Sequence, residues 1–238
     1  MSRNFRAKLL SSVNNFSRAI QRKVQGIPRG PSYLYNVLVA RFLKPMYVSL
    51  SDYISAEFKG KTFLDVGCGT AALIISILGR VKAYAIGLDI SKAMIEIASK
   101  NVLKHKVKDH VDLIVGDAHK LPFRDNSLDF IVSTGTLHHL GNLAEFFREC
   151  CRALRKEGKA LIYELSHDVS SKELKEQSAR WKRPGRILEL AALMHGIPRM
   201  EYVKGYVKAS LEEAFVQYNV RFKGILTELV IRKPDQML

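Results

Sequence analysis

The 238-residue sequence predicts an α/β fold built on a doubly wound, mostly parallel sheet of seven strands, the last of them antiparallel. Three observations predict it. From residue 62 onward short apolar strands alternate with segments of helical spacing. A glycine-rich turn, Gly67 to Ala71, follows the first of these strands and opens a helix. Carboxylates stand at the ends of three successive strands: Asp65, Asp89 and Asp117.

In chain order, residues 1–58 read as a basic N-terminal helical extension. Phe5, Leu9, Val13, Phe16, Ile20 and Val24 recur three or four apart with Arg and Lys between them, which is amphipathic helical spacing. Gly26 to Pro31 breaks that pattern, and Tyr33 to Ile54 predicts a pair of helices leading to the turn Lys59-Gly60-Lys61. The main domain is expected over residues 59–238. Its strands are predicted near Thr62–Val66, Ala83–Leu88, Val111–Val115, Phe130–Ser133 and Ala160–Leu165, with helices near Thr70–Leu78, Ser91–Leu103 and Leu143–Leu154. Residues 166–217 break the rhythm and read as a substrate-side insertion, in which Ser210 to Glu213 fits a helix capping box. Val220–Lys223 and Ile225–Arg232, separated by Gly224, are expected to pair antiparallel and close the sheet.

Composition narrows the function classes. Apolar residues make up 47% and charged residues 26%, the profile of an ordinary globular chain. No apolar run reaches the length a membrane span needs. Cys68, Cys150 and Cys151 offer neither a disulfide framework nor a four-ligand zinc set, so a cytoplasmic setting with no bound metal is expected. The net charge of +15 is uneven: residues 1–51 carry nine Lys/Arg and no acid, whereas residues 52–170 carry 16 against 15. Whatever the positive charge attracts is therefore handled by the ends of the chain. The basic N-terminal helix is open to three readings, a solvated appendage, a peripheral membrane-surface helix and a nucleic-acid arm; Phe and Leu on one face favour lipid over RNA.

The glycines alone fit two cofactors, because Gly67-Cys68-Gly69-Thr70-Ala71-Ala72 also satisfies the loose dinucleotide-binding pattern. Charge separates them. A carboxylate at Asp65 beside a pyrophosphate adds repulsion, whereas the methionine end of S-adenosylmethionine carries an ammonium and a sulfonium that suit an acid. Asp89 can accept hydrogen bonds from ribose hydroxyls and Asp117 from an adenine amino group.

Phe63 to Ala71, Gly87-Leu88-Asp89, Gly116-Asp117-Ala118 to Leu121-Pro122-Phe123, Leu137-His138-His139-Leu140 and Leu154 to Ile162 resemble the class I S-adenosylmethionine-dependent methyltransferases. Within them the chain is similar to the type 11 group, which includes ubiquinone and menaquinone C-methyltransferases. The likeness covers roughly residues 60–165, and it departs at Ala71, where the family usually has a third glycine. It implies a Rossmann-like methyltransferase fold, S-adenosyl-L-methionine as cofactor, and a cofactor site of Asp65, Gly67, Cys68, Gly69, Asp89, Ile90, Asp117, Ala118, Ser133 and Thr134.

Because the sulfonium methyl is already activated, alignment for in-line displacement is the main task, a contribution of about 7–11 kcal/mol. A general base is needed only where the acceptor must lose a proton, and His138 and His139, after the fourth strand, are the candidates. Tyr163, Glu164, His167 and Asp168 form a second polar group. No Asp/Asn-Pro-Pro-aromatic sequence follows the fourth strand and no Pro-Cys pair occurs, which argues against amino-directed DNA methylation and covalent attack on a pyrimidine. The expected acceptor is small or lipophilic, with a quinone-like molecule as one case. The rivals are a tRNA or rRNA methyltransferase, a non-catalytic S-adenosylmethionine-binding subunit and a nicotinamide-dependent oxidoreductase.

Overall fold

A computed structural model describes residues 29–233, with side chains described from residue 42 onward. The amphipathic helix expected over Phe5 to Val24 lies outside the described residues. In chain order the elements are α1 (Arg29–Glu57), β1 (Thr62–Val66), α2 (Ala72–Leu78), β2 (Tyr84–Asp89), α3 (Lys92–Lys104), β3 (Val111–Val115), β4 (Leu128–Thr134), α4 (Leu143–Ala153), β5 (Leu154–Leu165), α5 (Ser171–Trp181), α6 (Gly185–His195), α7 (Arg199–Lys204), α8 (Tyr206–Glu213), β6 (Gln217–Lys223) and β7 (Leu226–Arg232). Short 3-10 turns at Lys108–His110 and Leu137–His139 precede β3 and follow β4.

The seven strands lie in the order β3-β2-β1-β4-β5-β7-β6. β1 to β5 pair in parallel, and β7 runs antiparallel between β5 and β6. Strands buried on both faces send alternate side chains to opposite sides. In β1, Phe63 joins the cluster formed with Met46, Leu50, Ile74, Val102 and Trp181, while Leu64 joins Phe146, Phe147, Cys150 and Leu211 on the other face. Full burial of each such side chain contributes about 1.5–3 kcal/mol, so helices on both faces are held mainly by these contacts.

Local sequence explains where several helices begin. Ser91 accepts a hydrogen bond from the Met94 amide (3.4 Å) and Asn142 from the Glu145 amide (3.1 Å), each satisfying an orphan donor of the first turn. Tyr33 to Ile54 forms a single helix rather than the expected pair: α1 runs through Pro45, and Met46, Leu50 and Ile54 share its buried face. Packing of that stripe offsets the hydrogen bond that proline removes. The capping box expected at Ser210 is also corrected. Ser210 lies inside α8, and the reciprocal box in this region caps α5, with Ser170 and Glu173 exchanging hydrogen bonds. Among the described residues no helix is long and apolar enough to cross a membrane.

Candidate active site

Parallel register brings the chemistry to one edge. Asp65 pairs with Gly87, Val66 with both Leu88 and Ser133, and Asp89 with Val115, so the carboxyl ends of β1, β2, β3 and β4 form a continuous rim. This is where open α/β sheets bind ligands. Asp65 is 2% exposed. Burial, and then the like charge of Asp89, raise its carboxyl from the ordinary value to about 8. A carboxyl so placed is short of positive charge.

The loop after β1 is tightly set. The Gly67 and Cys68 amides donate to the Leu88 carbonyl (2.8 and 3.0 Å), the Gly69 amide to Asp89 Oδ2 (2.9 Å), and the Ala71 amide to the Cys68 carbonyl (2.9 Å). Four amides of this turn are thereby committed to the protein itself. Gly67 sits at φ +74°, and a Cβ there would overlap Thr136 Oγ1, so no other residue fits. Ala71 also takes a left-handed conformation, at φ 61°, a region that favours glycine. Cys68 brings only its backbone to the rim: its side chain is buried, its Sγ sits against Gly87, and burial pushes the thiol up.

Beyond the loop, Asp89 accepts from the Gly69 and Ser91 amides, and burial raises its carboxyl despite those two donors. Ile90, beside it, is 46% exposed and offers an apolar face at the rim. Asp117 Oδ1 accepts from the His119 amide (2.9 Å) and faces His119 Nδ1 at 2.7 Å. Burial pushes this carboxyl up, but the hydrogen bonds from the His119 amide and ring outweigh it and hold Asp117 low. His119 Nε2 accepts from the Asn142 amide (3.3 Å), so the proton belongs on Nδ1 and the ring orients Asp117. Nothing in the spacing marked His119 for that role. Ala118 is buried beside it.

At the end of β4, Ser133 is fully buried and donates to the Val66 carbonyl (2.8 Å). Its hydroxyl braces β1, so Ser133 offers a ligand its backbone rather than its side chain. Thr134 is half-buried, and its Oγ1 has no hydrogen-bond partner. Thr136 packs over Gly67, and two residues on His138 meets Glu164: the Leu137 amide donates to Glu164 Oε1 (2.6 Å), and His138 Nδ1 lies 3.0 Å from Glu164 Oε2. Burial raises Glu164 to about 8 and lowers His138 to about 4. His139 is exposed overall, but its ring centroid lies 3.9 Å from that of His138, and it is also lowered to about 4, first by the desolvation of that packing and then by the charge of His138. Two of the predicted polar neighbours of Glu164 go elsewhere, Tyr163 donating to Glu228 on β7 (2.9 Å) and Asp168 capping α7 through the Arg199 amide (2.8 Å), and His167 is not one of the three grouped histidines.

Sequence spacing missed His195. It ends α6, with its ring centroid 5.6 Å from that of His138, and burial lowers it to about 4. The next residue, Gly196, bridges to Leu165 so closely that a Cβ would overlap the Ala192 carbonyl, and the Ile197 amide donates to Leu165 (2.8 Å). That anchor fixes His195 against the end of β5. No local signal in α6 announces it.

Residues 64–162 match the methyltransferase domain family. The chain is 26% identical over 215 residues to a biotin biosynthesis bifunctional protein of Cellvibrio japonicus, covering 88% of this chain and 38% of that one. It is 32% identical over 109 residues to a demethylmenaquinone methyltransferase of Bacillus cereus, covering 45% and 46%. The chain thus spans half or less of the curated relatives it matches. A crystal structure from Methanococcus maripaludis, assigned to the S-adenosyl-L-methionine-dependent methyltransferases, superposes with a TM-score of 0.70 at 25% identity, over 87% of this chain and 94% of that one.

Proposed function

We propose that this chain, which belongs to the class I S-adenosylmethionine-dependent methyltransferases, transfers the methyl group to a small or lipophilic acceptor. The observation that carries the reading is Asp65, a carboxyl raised to about 8 by burial and by the neighbouring charge of Asp89, at the mouth of a loop four of whose amides bond to the protein itself. A cationic ligand answers that deficit and an anionic one worsens it. The residues fit S-adenosylmethionine: Asp65 to its ammonium end, Asp89 to the ribose hydroxyls, and Ile90 and Asp117 to the adenine. Bound there, the cofactor supplies an activated methyl on a sulfonium. The chain's own residues then bind, orient and exclude water. Glu164 holds His138 in place, and His139, more open to solvent, takes a proton from an acceptor that must lose one.

A lipophilic acceptor is supported by the insertion beside the histidines. Ile187, Leu190 and Met194 are 46%, 56% and 50% exposed at helical spacing along α6, and Met200 and Val203 on α7 are 46% and 52% exposed. An apolar row of this kind suits an apolar ligand. The test is incubation with methyl-labelled S-adenosylmethionine and a panel of demethylmenaquinone, fractionated lipid extract and tRNA. Label is expected in the quinone or lipid fraction. Label confined to tRNA would overturn the acceptor class, and no label with any acceptor, in protein that still binds S-adenosylhomocysteine, would favour a non-catalytic binding subunit.

A further inference from the structure

The structure assigns a divalent transition-metal site to His138, His139 and His195. The three side chains come from two distant segments, the turn after β4 and the end of α6, and their candidate ligand nitrogens all lie within 4.8 Å of one another. The plainer reading is a packed stack of neutral rings. It leaves one fact unexplained: His138 is only 6% exposed at its side chain, Nδ1 is engaged by Glu164, and Nε2 is buried with no hydrogen-bond partner. A buried polar atom left unsatisfied costs about 1–3 kcal/mol. A metal ion at that nitrogen accounts for it.

The carboxylate behind His138 matches the arrangement that orients metal-binding imidazoles, with the far ring nitrogen held by an acid so that the near one presents its lone pair. Imidazole nitrogens suit zinc, copper, iron or nickel, whereas magnesium and calcium prefer oxygen. Nitrogen-to-zinc bonds of about 2.0–2.1 Å bring tetrahedral ligands about 3.4 Å apart, so the rings turn inward by about an ångström on loading. His139 is exposed and gives the ion a way in. Three histidines leave a fourth position open. Resting on the transferase reading for its role, that position takes an oxygen of the acceptor; with the ion bound, His139 is a ligand and no longer the base, and the metal activates that oxygen by lowering its pKa.

The test is titration of metal-free, full-length protein with cobalt(II), following its tetrahedral visible absorption, alongside calorimetry with S-adenosylhomocysteine. One cobalt per chain is expected, with affinity reduced about 100-fold or more in His195→Ala and about 10–100-fold in Glu164→Gln. His139→Ala, at an exposed position, repeats the first loss if His195→Ala does not fold. Absence of the absorption at equimolar cobalt, or unchanged affinity in both histidine variants, overturns the metal site even where S-adenosylhomocysteine still binds. Cobalt uptake without S-adenosylhomocysteine binding supports the metal site and sinks the transferase reading instead.

Discussion

Asp65 shows what a single residue is asked to do. Its folded-state value of about 8 lies above the ordinary 3.8, so the folded chain without ligand holds a proton that the unfolded chain releases. The stability this provides is fully present below pH 3.8 and is lost as pH rises through about 8. Asp65→Asn removes the ionisation while keeping the shape. We expect this variant, without ligand, to melt several degrees higher than the wild type at pH 8–9, at about 2–4 °C per kcal/mol for a chain of this size. The same variant should bind S-adenosylhomocysteine about 10–100-fold more weakly, the loss of one hydrogen-bonded charge. Calorimetric affinity within threefold of the wild type would remove Asp65 from the cofactor site.

At the scale of elements, α4 does more than cover the sheet. Arg152, in its last turn, donates to Glu149 Oε1 and Oε2 (2.6 and 2.8 Å), to the Leu121 and Phe123 carbonyls (3.0 and 2.7 Å) and to Asp125 Oδ1 (2.8 Å). Glu149 Oε2 accepts from the Leu121 amide (2.7 Å), and the Arg152 hydrogen bonds hold its carboxyl low. The segment that follows Asp117 is thereby pinned to a helix. Arg152→Met is expected to lower stability by about 1–3 kcal/mol, since several charged hydrogen bonds go at once and two partly buried carbonyls lose their donor. Amide exchange over residues 117–127 should quicken more than in the strands; uniform change across the chain would refute the pinning. The apolar spacing of Leu143, Phe146, Phe147, Cys150 and Leu154 marks this helix in the sequence, and all five are buried, although Leu154 already begins β5. Ser170 and Glu173 carry the same capping pattern as Ser210 and Glu213, and only the packing of α8 against its neighbours shows which pair starts a helix.

Across the whole molecule the rim concentrates negative charge at one edge of a basic protein, and ligand and proton compete there. Burial raises both Asp65 and Asp89, so stability without ligand falls as pH climbs toward and through 8. S-adenosylhomocysteine brings an ammonium that takes the proton's place. Its stabilisation, about 2.7 kcal/mol at a hundred times the dissociation constant, should therefore grow between pH 6 and pH 8.5. Equal melting shifts at the two pH values, with ligand held at fixed concentration, would count against an ionised Asp65 in the complex. The alternation of strands and helices, the glycine turn and the three strand-end acids were legible in the sequence, because period, turn chemistry and the carboxyl-edge rule act over a few residues at a time. The tertiary structure alone decided that Cys68 and Ser133 turn away from the rim, that His119 orients Asp117, and that His195 joins His138 and His139 beside Glu164. Those outcomes depend on where a side chain finds room and which distant segment the packing delivers, and neither is written in local spacing.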